Sequence, residues 1–268
     1  MEPPKSNRLI FSQWVVAIRK RDWEYAETFL ATDVIVNENT MARRAYIQRL
    51  RNARFETASL DVCIADDEAA VIAARFVLSR PPEPTLLGQG EEWTEQTLFS
   101  LVNGKISSIQ VLAGPNQSAV PGCADQSGEK TESAKALRTS ELRKFYTRYI
   151  DSINTLTMRG HFDDFCQDAV THNYINYSRD EYREMIESSF EDISGLHFTI
   201  ESLIVNEEAQ QVAARLGFTG VPTKEFRGIA PTGKPVRFGE HAFYQLEKGR
   251  IKRVWSLLDL EAYKSSIA

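Results

Sequence analysis

Apolar side chains recur at Ile10, Trp14, Val15 and Ile18 within residues 7–20, a spacing that predicts an amphipathic helix. Residues 23–31 and 42–50 predict two more helices, with a short strand at 33–36 between them. The period then changes. Residues 54–65, 68–80, 91–102 and 105–112 alternate or run apolar as strands do, and Asp66-Asp67 and Asn103-Gly104 mark hairpin turns between them. The same order returns further on. Helices are predicted at 139–156, 161–167 and 178–191, a short strand at 169–173, and long strands at 196–206, 209–220, 234–247 and 250–258. Ser178 with Glu181 three residues later reads as a capping box.

The return is visible residue by residue. ADDEAAVIAARF (65–76) and VNEEAQQVAARL (205–216) agree at five of twelve positions at an offset of 140. Asn37, Arg43 and Tyr46 match Asn173, Arg179 and Tyr182 at an offset of 136, and Glu95, Leu101, Gly104 and Ile106 match Glu240, Leu246, Gly249 and Ile251 at 145. The offset grows only between segments, as loop insertions make it. A period this long makes each copy a whole domain rather than a solenoid unit. The expected organisation is a first domain at 1–113, a Gly/Ser/Pro/Gln-rich linker at 114–138 and a second domain at 139–268.

In each copy, three helices and a meander of long antiparallel strands give an α+β domain, the helices lying on the inner face of a curved sheet around a pocket. Strict alternation along 236–247 puts Val236, Phe238, Glu240, Ala242, Tyr244 and Leu246 on the inner face and His241 on the other. In the first copy the inner face carries Trp93, Glu95, Thr97, Phe99 and Leu101. One carboxyl therefore points inward at the same position in both copies. A bulge at Gly239 would re-aim Glu240 and His241.

Three segments, VTHNYINYSRDEYREMI (170–186), FRGIAPTGKPVRFGEHAFY (226–244) and GRIKRVWSLLDL (249–260), make residues 139–262 resemble the SnoaL-like polyketide cyclases and related isomerases of the NTF2-like fold. The first copy resembles them only through the repeat. The resemblance implies two tandem NTF2-like cone domains. It also implies cofactor-independent ring closure, isomerisation or rearrangement of a hydrophobic polyketide- or terpenoid-like intermediate. Free-standing relatives pair through their outer sheet faces, so an intramolecular pseudo-dimer is expected. In the bacterial cyclases an acid/base aspartate lies on the last strand. Ser256 stands there in this sequence, and Asp259, three residues on, reads as a capping or pocket-rim group. The acid is expected to have moved to Glu240 on the neighbouring strand.

Glu240 and His172 are thus the candidate acid–base pair. A carboxyl in an apolar pocket is pushed toward neutrality, and imidazole titrates in the same range. Asn173, Tyr146, Tyr149, Tyr182, Tyr244, Ser256 and Asp259 are the candidates for orienting a substrate. The competing reading makes Glu240 a structural carboxylate bridged to Arg215, and the domain a non-catalytic association module. An open cavity of several hundred cubic ångströms would favour an enzyme instead. An epoxide hydrolase of the same fold would need an Asp–Arg–Asp set that the second copy lacks. The first copy has Val36, Val111 and Gly114 where the second has His172, Ser256 and Asp259, so its pocket is expected to be partly degenerate.

Composition narrows the picture further. The 268 residues are 42% hydrophobic and 26% charged with a formal net charge of −5, which gives material for a core and no basic tract for nucleic acid. No apolar run approaches the roughly 18 residues of a membrane span, and the N-terminus lacks a signal-peptide core. Three scattered cysteines, Cys63, Cys123 and Cys166, read as reduced thiols of a cytoplasmic protein. Four histidines without ligand spacing give no metal site, and no cofactor is expected.

Overall fold

The computed structural model describes residues 6–53, 55–80, 91–115 and 136–268. The chain divides into two compact units, Met1–Ala119 and Val120–Ala268. Most of the expected linker, with Cys123, lies outside the described residues.

The first unit runs α1 (Asn7–Arg19), α2 (Trp23–Glu27), β1 (Leu30–Val36), β2 (Asn39–Ala42), α3 (Arg43–Asn52), β3 (Thr57–Asp66), β4 (Val71–Arg80), β5 (Glu91–Val102) and β6 (Lys105–Pro115). The second runs α4 (Thr139–Asn154), α5 (Met158–Phe165), β7 (Cys166–His172), β8 (Ile175–Ser178), α6 (Arg179–Asp192), β9 (Ile193–Asn206), β10 (Gln211–Pro222), β11 (Val236–Glu247), β12 (Arg250–Leu258) and α7 (Leu260–Ile267). Both are α+β domains with the same sheet order, β2-β1-β6-β5-β4-β3 and β8-β7-β12-β11-β10-β9.

The expected all-antiparallel sheet needs one correction. The four long strands of each unit form an antiparallel meander, but β1 pairs β6, and β7 pairs β12, in parallel. Each sheet is therefore mixed. Three further elements went unforeseen: the short hairpin strands β2 and β8, and the terminal helix α7. The second predicted helix is also shorter than expected, because residues 30–31 already belong to β1.

Local chemistry explains the frame. Ser6 caps α1 by accepting from Leu9 N at 3.2 Å. Ser178 and Glu181 form the predicted reciprocal box on α6, with Ser178 N donating to Glu181 Oε2 at 2.7 Å. Asn103-Gly104 and Lys248-Gly249 take positive φ at both positions, the type I′ geometry that suits strand twist. Asp66 Oδ1 accepts from Ala69 N at 3.0 Å, and Asn206 Oδ1 accepts from Ala209 N at 2.8 Å, so one turn design serves both units.

Each unit has its own core. In the second, Leu142, Tyr146, Tyr149, Ile150 and Ile153 of α4 pack with Val212, Ala214 and Leu216 of β10 and with Phe238, Ala242, Tyr244 and Leu246 of β11. In the first, Phe11, Trp14 and Ile18 of α1 pack with Ile72, Ala74, Phe99 and Ile109.

Candidate active site

The inner face of β11 sets the site. Gly239 pairs with Gly217 with no register shift, so no bulge intervenes and alternation holds. Phe238, Glu240 and Tyr244 line a cavity of about 100 Å³, closed by Val254, Ser256 and Leu258 of β12, Tyr149 of α4, Tyr182 of α6 and His172 at the end of β7. The period of two on β12 puts Val254, Ser256 and Leu258 on that same face.

Glu240 stands opposite Leu258 in the ladder, and Ser256 opposite Ala242, so the two polar side chains are diagonal neighbours on one face. The Ser256 hydroxyl donates to Glu240 Oε1. Burial pushes the Glu240 carboxyl up from 4.5 to about 7, with the Ser256 bond and the Arg227 charge opposing the rise. Arg215 does not bridge to Glu240. It pairs with His241 across the other face, where its Nε donates to Glu201 Oε2 at 2.8 Å and its Nη1 lies 3.1 Å from His241 Nε2. The structural salt bridge that would have explained Glu240 away is therefore absent. His241 is buried on the opposite face and takes no part in the cavity.

His172 lies 5.7 Å, centroid to centroid, from the Tyr182 ring and 6.4 Å from Tyr177. Its ring has no hydrogen-bond partner among the described residues. Burial, helped by the Arg227 charge, lowers its pKa from 6.5 to about 4, so the imidazole is neutral near pH 7. Tyr149 and Tyr182 share a hydroxyl–hydroxyl bond of 3.2 Å, and Tyr146 donates to the Tyr244 hydroxyl at 3.3 Å. Burial raises all four phenols, which stay protonated as hydrogen-bond donors.

Three expected substrate contacts fall elsewhere. Tyr146 sits behind Tyr244 and does not line the cavity. Asp259 caps α7, accepting from Ala262 N at 2.9 Å. Asn173 is a turn residue with φ 45°, and its amide is spent on backbone: Nδ2 donates to Ser256 O and Oδ1 accepts from Ser256 N, both at 2.9 Å. It steadies the strand that carries Ser256. Asn37 does the same for Val111, at 2.9 and 2.7 Å, so the match between the copies reflects scaffold rather than chemistry.

Sequence reasoning passed over Arg227. It sits at φ 53° in the tight turn between Phe226 and Ile229, within the segment 226–235, and borders the cavity with Phe226. Its only sequence signal is a basic residue in the segment that precedes the glutamate strand. An arc of aromatic rings flanks it: Phe198–Phe218 at 4.6 Å, Phe218–Phe238 at 5.0 Å, Phe226–Phe238 at 5.9 Å and Phe226–Tyr263 at 5.3 Å. Tyr263 belongs to α7, which thereby buttresses this wall. Among the described residues no His, Cys, Asp and Glu cluster is placed to hold a metal, and no helix is long and apolar enough to cross a membrane.

These features define an α+β domain of NTF2-like architecture with one carboxyl held inside an apolar, aromatic-walled cavity. Residues 141–265 match the model of the SnoaL-like polyketide cyclases. A SnoaL-like polyketide cyclase from Agrobacterium tumefaciens is 34% identical over 49% of this chain and 100% of its own, with a TM-score of 0.46. TsrD from Streptomyces laurentii is 19% identical over 49% of this chain and 98% of its own (TM-score 0.45), and IdmH from Streptomyces antibioticus is 14% identical over 47% and 97% (TM-score 0.41). No curated protein matches the chain. Through its C-terminal half, the chain belongs to the SnoaL-like polyketide cyclase family.

Proposed function

We propose that the C-terminal half is a cyclase or isomerase that moves a proton with Glu240 on a hydrophobic, carbonyl-bearing intermediate of the polyketide or terpenoid kind. One observation carries the reading: a carboxyl in an apolar cavity, with no cationic partner in contact among the described residues, which burial pushes up to about 7. A base is most effective when its pKa lies near the working pH. Glu240 in its ionised form takes a proton from a carbon next to a carbonyl. The enolate oxygen gathers the charge, and the Arg227 guanidinium at the cavity edge offsets it. In a ring closure the enolate carbon attacks a second carbonyl, and protonated Glu240 returns its proton to the new alkoxide. In an isomerisation it returns the proton to a different carbon. The low pKa of His172 suits a neutral imidazole that donates an N–H bond to a carbonyl, rather than a shuttle that must become charged. Ser256 holds Glu240 in place and assumes the strand position at which related cyclases carry their acid.

The cavity falls short of the several hundred cubic ångströms expected of an enzyme pocket and is smaller than a whole polyketide requires. About 150 Å³ is enough to admit benzene into an apolar hole, and this one has about 100 Å³. It therefore accepts the reacting portion of the substrate, and the remainder lies against the aromatic arc around Arg227. The test is steady-state kinetics on the natural intermediate. E240Q is expected to lower kcat by at least 100-fold. R227Q is expected to lower kcat/KM by about 10-fold or more. An E240Q enzyme with full turnover would remove Glu240 from the chemistry, whereas a wild-type chain without turnover would leave the association-module reading standing.

A further inference from the structure

The first unit was expected to hold the poorer pocket, yet its cavity is the larger, about 250 Å³ against about 100 Å³. The cause lies in the strands. Ala58 faces Leu78 on β3 and β4 at the position where Phe198 faces Phe218 on β9 and β10. Loss of that ring opens the space. The walls are apolar, built from Trp14, Ile18, Phe76, Phe99 and Ile109, with Val36 and Val111 in the places of His172 and Ser256.

Few polar groups remain on the wall. Glu95 lines the cavity and accepts from Trp93 Nε1 at 3.1 Å, and burial raises its pKa. Tyr46 also lines it, electrostatically coupled to Glu95, and its hydroxyl has no hydrogen-bond partner among the described residues. The buried Trp14 indole N–H is likewise without one. The Tyr46 hydroxyl is thus an unmet donor on the wall of an apolar space, and a buried donor left unmet is unfavourable. Arg49 stands exposed at the edge.

We infer that the N-terminal half carries a second ligand site, which takes a flat, uncharged molecule of one or two rings and hydrogen-bonds its carbonyl oxygen through Tyr46. The volume exceeds the roughly 150 Å³ that admits a single benzene ring. The site is independent of the chemistry at Glu240.

The test uses the full chain with ¹³C-methyl-labelled isoleucine and valine, titrated with 6-propionyl-2-dimethylaminonaphthalene, an uncharged two-ring ketone. Resonances of Ile18, Val36, Ile109 and Val111 are expected to shift saturably. Ala58→Phe, which restores the ring of the second half, is expected to abolish those shifts. Tyr46→Phe, which keeps the ring and removes the donor, is expected to weaken binding about three- to tenfold. Shifts confined to Ile150, Ile153, Ile186 and Val254 of the other cavity, or none up to the probe's solubility, would overturn the proposal. Unchanged affinity in Tyr46→Phe would overturn the assigned anchor. Wild-type shifts decide the matter even if either variant folds poorly.

Discussion

Replacing Glu240 by Gln isolates the free energy held in the buried carboxyl. Glutamine keeps the shape and still accepts from Ser256, but it never ionises. Below the ordinary value of 4.5, the folded and unfolded chains both hold the Glu240 proton, and the two proteins differ little in stability. Between 4.5 and about 7 the unfolded chain has released its proton while the folded chain retains it, so the wild type loses stability as pH rises. Above about 7 the loss is complete. The rise from 4.5 to about 7, at about 1.4 kcal/mol per pH unit, corresponds to about 3 kcal/mol. E240Q is therefore expected to match the wild type near pH 4 and to exceed it by about 3 kcal/mol near pH 8. Urea unfolding monitored through the methyl groups of Ile150 and Ile251, both in the second core, reports that half alone. His172 titrates in both proteins and cancels in the difference. A stability difference that stays constant from pH 4 to 8 would refute the account of Glu240 as a desolvated acid.

Three further outcomes are expected. His172 has the opposite sign: its folded pKa of about 4 lies below the ordinary 6.5, so its stability is present above 6.5 and lost as pH falls toward 4. H172Q should escape that loss, worth up to about 3 kcal/mol, and a pH titration of unfolding checks it. N173A removes two hydrogen bonds to Ser256 and a residue suited to positive φ, and should cost about 2–3 kcal/mol, whereas N173G keeps the turn and should cost less; urea midpoints decide. D259A removes the α7 cap and should cost about 1 kcal/mol, with faster amide exchange across Leu260–Ile267 as the local readout.

What the sequence made legible follows from how local the signal is. The strand β12 was read at its observed bounds because Lys248-Gly249 fixes its start and its alternation is regular. The inward aim of Glu240 followed from a period of two that no bulge breaks. The hairpin strands β2 and β8 were missed because each has four residues and no buried face to impose a pattern. The parallel pairing of β7 with β12 joins residues about 80 positions apart, and nothing nearby announces it. Arg227 was missed for the same reason: an exposed turn residue gains meaning only when folding carries its turn to the edge of the cavity. Asn173 shows the opposite failure. Its recurrence was real, but a residue that two copies share is one their common frame requires, and the frame needed a turn and a splint.

His172 and Asn173 are adjacent in the chain, as are Val36 and Asn37. The asparagine ties the neighbouring strand in both halves, while the side chain just before it is an imidazole in one and an isopropyl group in the other. The protein thus keeps its rivet and its interchangeable tool one peptide bond apart. A change of side chain at that socket leaves the joint that holds the wall upright untouched.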